Sequence, residues 1–263
     1  MQNAARSPII VSGLGRSGST WMQFFLSSHP DVHIHGQSPN IPWSKFWNWS
    51  ETLRRQAEWA VRSNEHVGYD PAHYAGSSPD QINDVFRRMF YEYMTGFGPR
   101  RPRWGLKWIG LCANPKAVEQ WESLWPDIRW IVCIRNPFAV IESLKNTFDP
   151  DMDPARHARR WVATCRFAES HASKRTIPFS IDHLSSESPQ RRLDFMRSLA
   201  AKLDLPWAES WNDAIDQWPV VHKAKPDENR TFRLTSADKR RLLRETDGLA
   251  ALMEKWGYET SMH

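Results

Sequence analysis

The stretch PIIVSGLGRSGSTWMQFFLSSHP, Pro8 to Pro30, decides the fold. Ile9, Ile10 and Val11 form the short β-branched run of a buried parallel strand. Trp21, Phe24, Phe25 and Ser28 then recur at helical spacing, with no breaker before Pro30. Between them Gly13, Gly15 and Gly18 let the backbone turn tightly and aim its N–H groups at an anion, which the positive end of the next helix also attracts. Ser17, Ser19 and Thr20 add hydroxyl donors, and Arg16 adds a fixed charge. The spacing Gly13-x-x-x-x-Gly18 is that of a Walker A loop, but Ser19 stands where that loop carries lysine. The cation sits instead at the tip of the turn, which argues against Mg²⁺-dependent phosphoryl transfer and leaves a P-loop kinase as a distant reading.

A second stretch, Ile128-Arg-Trp-Ile-Val-Cys-Ile-Arg135-Asn136-Pro137 with Ser143 beyond it, combines the most strand-like run in the chain with a cation at its end. Together the two stretches resemble the donor site of sulfotransferases that use 3′-phosphoadenosine 5′-phosphosulfate (PAPS), of the bacterial, tyrosylprotein and carbohydrate type. Gly15-Arg16-Ser17-Gly18-Ser19-Thr20-Trp21, followed by His29-Pro30-Asp31-Val32, looks like the 5′-phosphosulfate loop. Arg135 and Ser143 are similar to the pair that clamps the 3′-phosphate. The resemblance implies a three-layer P-loop-like α/β domain with a mostly parallel sheet. It implies sulfuryl transfer from PAPS to a hydroxyl or amine of a small-molecule or sugar acceptor, with no metal required. Arg16 then stabilises the leaving phosphate, and Lys107, in Trp104-Gly-Leu-Lys-Trp-Ile, faces the transferring group. A lysine inside an apolar strand is costly to bury without a partner.

Trp21 resembles the aromatic residue that packs on the donor adenine, although core packing explains an indole there almost as well. A basic loop near the C-terminus also holds the 3′-phosphate in such enzymes, and Lys223 and Lys225 are the cations placed for it. The usual bases are absent: Gln37 or Ser38 stands where relatives with this loop carry glutamate, and Ile109 where cytosolic relatives carry histidine. His33 and His35 share one face of a short strand nearby, so His35 is the candidate base. A hydrogen-bonded strand histidine is the structural alternative, and His66, Asp70 and His73 are further candidates. A silent nucleotide-binding relative that lost its base therefore stands beside the enzyme.

The chain of 263 residues is long enough for one large domain, expected over 1–263, with a helical insertion at 36–100 that walls an acceptor pocket. A net charge of +5 suits an anionic donor and is modest for a nucleic-acid binder. Cys112, Cys133 and Cys165 are too far apart for a disulfide framework or a paired metal motif. The polar segment ahead of Ile9 and the lack of a long apolar run predict a soluble, cytoplasmic protein without a membrane span. Helices are expected over Trp43–Trp59, Pro79–Thr95 behind a Ser78/Gln81 capping box, 115–124, 137–147, 154–174, 189–203 and Ser236–Trp256. Strands alternate with them at 32–35, 104–109, 128–134 and 177–181, the rhythm of a parallel sheet with right-handed crossovers. Residues 205–233 read as irregular. The indoles Trp43, Trp47, Trp49 and Trp59 serve either the core or the acceptor pocket. Arg100, Arg101 and Arg103 form a basic run, either a solvated turn or an anion guide.

Overall fold

The computed structural model describes residues 7–36, 43–67, 78–96, 99–171, 175–216 and 232–260. β1, Ile9–Gly13, is buried at every position, as its apolar run demands of a strand covered on both faces. The glycine loop leads into α1, Ser19–Ser28, and the chain returns along β2, Val32–His35. Two helices, α2 (Trp43–Val67) and α3 (Pro79–Thr95), connect it to β3, Arg103–Ile109. A 3-10 turn at Leu111–Ala113 and α4, Pro115–Leu124, precede β4, Arg129–Ile134. Then α5, Pro137–Thr147, and α6, Pro154–Ser170, lead to β5, Thr176–Ser180. Five helices follow: α7 (Ile181–Ser186), α8 (Pro189–Lys202), α9 (Ser210–Asp216), α10 (Ser236–Glu245) and α11 (Leu249–Lys255).

The sheet runs β2-β3-β1-β4-β5, and every pair is parallel. β1 is central, so the chain leaves it between β3 and β4, where strand order reverses and an open α/β sheet forms its ligand crevice. Period-two alternation sends Ile9, Val11, Ile131, Cys133 and Phe179 to one face, under α1, α8 and α9. Ile10, Leu106, Trp130, Val132 and Ile134 go to the other, under α2 to α6, α10 and α11. Each side chain of this size contributes ~1.5–3 kcal/mol on full burial. The expected three-layer P-loop-like architecture is the one observed.

Helix starts follow the local chemistry. Ser78 and Gln81 form the reciprocal capping box ahead of α3, and Asn114, Asn136, Asp153 and Ser188 each cap a helix that has proline in its first turn. Helix ends differ more from expectation. α2 runs on to Val67, and the expected single helix over Ser236–Trp256 is two, because Gly248 takes a left-handed conformation (φ 76). Within the segment read as irregular, α9 forms and buries Trp211. No described helix is long and apolar enough to cross a membrane. Trp43 and Trp47 pack in the core beside Trp121 and Phe90, whereas Trp49 and Trp59 are exposed. The arginine run is structural. Arg101 Nη1 donates to the carbonyls of Ser27 and Val32, each at 2.8 Å, Arg100 pairs with Glu92, and Arg103 reaches the Leu203 carbonyl. These residues sit at the start of β3, the edge of the sheet away from the glycine loop, and so do not guide an anion to it.

Candidate functional site

The loop after β1 is held open by its backbone. Gly13 (φ 141) and Gly18 (φ 92) occupy conformations that other residues avoid, and a Cβ on Gly13 would collide with the Cys133 carbonyl. Arg16 itself is left-handed at φ 68, a strained setting for a non-glycine residue. Ser17 Oγ closes the turn on the Leu14 carbonyl at 2.6 Å. Gly18 precedes α1 and gives it no side-chain cap, so the first N–H groups of the helix face an uncapped, positive end. Buried Ser19 and partly buried Thr20 start that helix.

Four of the residues singled out in the sequence meet here. Arg16 Nε donates to Ser143 Oγ at 3.0 Å across 127 positions of chain. Arg135 Nη1 donates to the Arg16 carbonyl at 3.2 Å, and its Nε pairs with Asp182 at 3.2 Å. Lys107 Nζ donates to Thr20 Oγ1 at 3.3 Å. The strand-end arginine, the α5 serine, the loop cation and the β3 lysine thus form one cluster at the C-terminal edge of the sheet. Burial, with Arg135 beside it, holds the Arg16 guanidinium below its ordinary pKa, and burial does the same to Lys107. Phe148 packs against the Arg16 guanidinium, with its ring centre 5.9 Å away. The one carboxylate paired in the cluster, Asp182, also accepts from the Asn136 N–H at 2.9 Å. Three cations against one carboxylate, beside an uncapped helix N-terminus, make a site for an anion with more than one charged group.

Other expectations fare differently. Trp21 is 6% exposed and stacks on Phe25 and Phe179, so its indole serves the core. His35 is not brought to the cluster. Its register partner is Leu106, which faces the core under α3, whereas Lys107 points to the opposite face at Thr20. Instead His35 meets His33 at a ring distance of 4.3 Å, beside a groove of about 440 Å³ lined also by Phe24, Tyr93 and Met94. That placement removes it from the role of base. Lys223, Lys225, Gln37, Ser38, Asp70 and His73 lie outside the described residues, as does the side chain of His66. Sequence reasoning missed Asp182 and Phe148, which no local spacing marks. The capping role of Asn136 was readable from Asn-Pro at a strand end.

Burial of His35, with His33 close by, lowers its pKa to about 4, and among the described residues its Nε2 has no hydrogen-bond partner. Between pH 6.5 and 4 the unfolded chain takes up a proton that the folded one refuses, so stability falls as the pH drops through that window. Thermal unfolding at pH 7.5 and 4.5 should show a lower midpoint at 4.5. His35→Gln should lessen that difference, and an unchanged difference would place the effect elsewhere.

A sequence model of the sulfotransferase family matches residues 8–209. Protein-tyrosine sulfotransferase A of Caenorhabditis elegans is 25% identical over 212 residues, 76% of this chain and 50% of that protein. A putative protein-tyrosine sulfotransferase of Caenorhabditis briggsae is 28% identical over 140 residues, 52% of this chain and 42% of that protein. The chain spans about half the length of these curated relatives or less. Among solved structures, the sulfotransferase domain of a Synechococcus olefin synthase superposes with a TM-score of 0.54 at 17% identity, covering 97% of this chain and 96% of that one. The sulfotransferase domain of the curacin biosynthetic pathway gives 0.51 at 16%, covering 97% and 98%. These two likenesses concern the fold.

Proposed function

The chain belongs to the sulfotransferase family, and from that premise we propose that it transfers a sulfuryl group from PAPS to a hydroxyl or amine of its acceptor. One observation carries the reading: Arg16 of the glycine loop meets Arg135 and Ser143, which lie far from it in sequence, in a single cluster suited to an anion. Its fit to a nucleotide with a 5′- and a 3′-phosphate group is supported by the division of cations. Arg16 and the α1 N-terminus suit the 5′ group, and Arg135 with the Ser143 hydroxyl suits the 3′ group.

In the reaction the acceptor atom bonds to sulfur as the bond from sulfur to the 5′-phosphate oxygen breaks, and the electron pair leaves with adenosine 3′,5′-bisphosphate. Negative charge grows on that oxygen, so a fixed cation there acts mainly on the transition state. Arg16 holds this place. Lys107, oriented by Thr20, faces the transferring group from the neighbouring strand. The acceptor must also lose its proton, and Ile109 stands where cytosolic relatives carry their strand histidine. An acceptor with an acidic hydroxyl, such as a phenol, needs least help from a base, and the named tyrosine sulfotransferases among the relatives support that choice.

The test is incubation with PAPS and a panel of phenols, alcohols and amines in the presence of EDTA, following release of adenosine 3′,5′-bisphosphate. The loop carries Ser19 in place of the Walker lysine that works with Mg²⁺ on the terminal phosphates, so turnover should survive EDTA. Activity abolished by EDTA and restored by Mg²⁺ would contradict the reading. Tight nucleotide binding with no turnover on any acceptor would favour the silent relative.

A further inference from the structure

We propose that the cleft between α4 and α6 is a second ligand site, one that takes a small organic ammonium ion with an apolar body. The cleft has a volume of about 740 Å³, within the range of ~300–1,000 Å³ usual for small-molecule sites. None of Arg16, Lys107, Arg135, Ser143 and Asp182 lines it, so it is separate from the anion cluster. Its floor is apolar. Cys112 of the 3-10 turn, Val118 of α4, and Val162 and Phe167 of α6 line it, and all four are buried. Ala113 and Ala163 line it too, and side chains this small leave the space between the helices unfilled.

Charge selects the ligand. α4 lines the cleft with Glu119 and, one turn later, Glu122, and α6 lines it with Arg159 and Arg166. Ion pairs between the two walls would close the gap, but both arginines are engaged with other carboxylates, Arg159 with Asp153 at 3.5 Å and Arg166 with Asp247 at 2.9 Å. Glu245, also in the lining, pairs with Arg244 at 3.2 Å, and His171 Nδ1 lies 3.2 Å from the Phe167 carbonyl. That leaves the two α4 glutamates, neither of which pairs with a cation among the described residues. Glu122 is half-buried, and one of its oxygens accepts from the Trp130 Nε1–H at 3.2 Å, which fixes the carboxylate without meeting its charge. Beside an apolar floor such a carboxylate attracts a cation more strongly than in open water, because its surroundings screen it less. A ligand with an ammonium head and an apolar body answers both features. The head meets Glu122 and Glu119, and the body covers Val118, Val162 and Phe167.

The experiment uses the full chain, with and without saturating adenosine 3′,5′-bisphosphate, and three probes of one shape: 3-phenylpropylamine, 3-phenylpropanol and 3-phenylpropanoate. Binding is read by calorimetry for wild type, Glu122→Gln, the double variant Glu119→Gln/Glu122→Gln, and Ala163→Phe. The amine should bind about tenfold or more tightly than the alcohol, and the carboxylate most weakly. Glu122→Gln, which keeps an acceptor for Trp130, should lose most of that preference, and the double variant all of it. Ala163→Phe fills the cleft and leaves both glutamates in place, so it should weaken amine and alcohol alike. Ala163→Leu replaces it if the larger ring is not tolerated. The nucleotide should leave amine binding in place. Absence of amine binding, equal binding of the three probes, or a preference that the double variant retains overturns the site. Amine binding that filling the cleft leaves intact, or that the nucleotide abolishes, places the probe elsewhere and overturns it as well.

Discussion

Arg16→Ala is expected to lower turnover ~10²–10³-fold, the usual loss when one fixed charge-stabilising donor is removed from where charge develops. The guanidinium is held on both sides, by Ser143 Oγ at its Nε and by Phe148 beside it, and its backbone carbonyl is tied to Arg135. Such preorganisation means that no reorientation is needed as the 5′-phosphate oxygen gains charge. Because Arg16 also touches the ground-state anion, the substitution should weaken nucleotide binding as well as turnover. Lys107→Ala should instead fall mainly on kcat, since its partner Thr20 orients it toward the group in transit. Steady-state kinetics with varied PAPS separates the two. Full activity in Arg16→Ala would remove this residue from the mechanism, and a loss in Lys107→Ala confined to KM would recast it as a binding group.

Much of this site was legible because its parts follow rules of local spacing. A β-branched run, three glycines and an amphipathic segment specify strand, loop and helix without knowledge of the rest of the chain. Proline behind a capping residue likewise fixed the starts of α3, α5 and α6. What local rules could not supply was register. Alternation showed that His33 and His35 share a face, but only pairing with β3 reveals that this face is not that of Lys107. Asp182 reaches Arg135 from 47 positions away, and no spacing in the sequence relates the two. The C-terminal break was misread differently. Leu242, Leu249 and Met253 keep an apolar pattern on both sides of Gly248, and that pattern hid the turn it makes.

The second large effect concerns the 3′-phosphate. Arg135 is fixed by Asp182 and by the Arg16 carbonyl, so its remaining donors are pre-aimed rather than ordered on binding. A charge-assisted contact of this kind is worth ~1.5–3 kcal/mol, about ten- to a hundredfold in affinity, and Ser143 adds a further donor. Arg135→Ala should therefore cost adenosine 3′,5′-bisphosphate most of its advantage over AMP while leaving AMP binding little changed. A loss shared equally by both nucleotides would mean that Arg135 supports the loop and does not read the 3′ position.

Calorimetry of the unmodified protein with adenosine 3′,5′-bisphosphate, AMP and ATP tests the donor site most directly. The account predicts that adenosine 3′,5′-bisphosphate binds at least ~10-fold more tightly than either of the others, through Arg135 and Ser143. Equal affinity for AMP would contradict it.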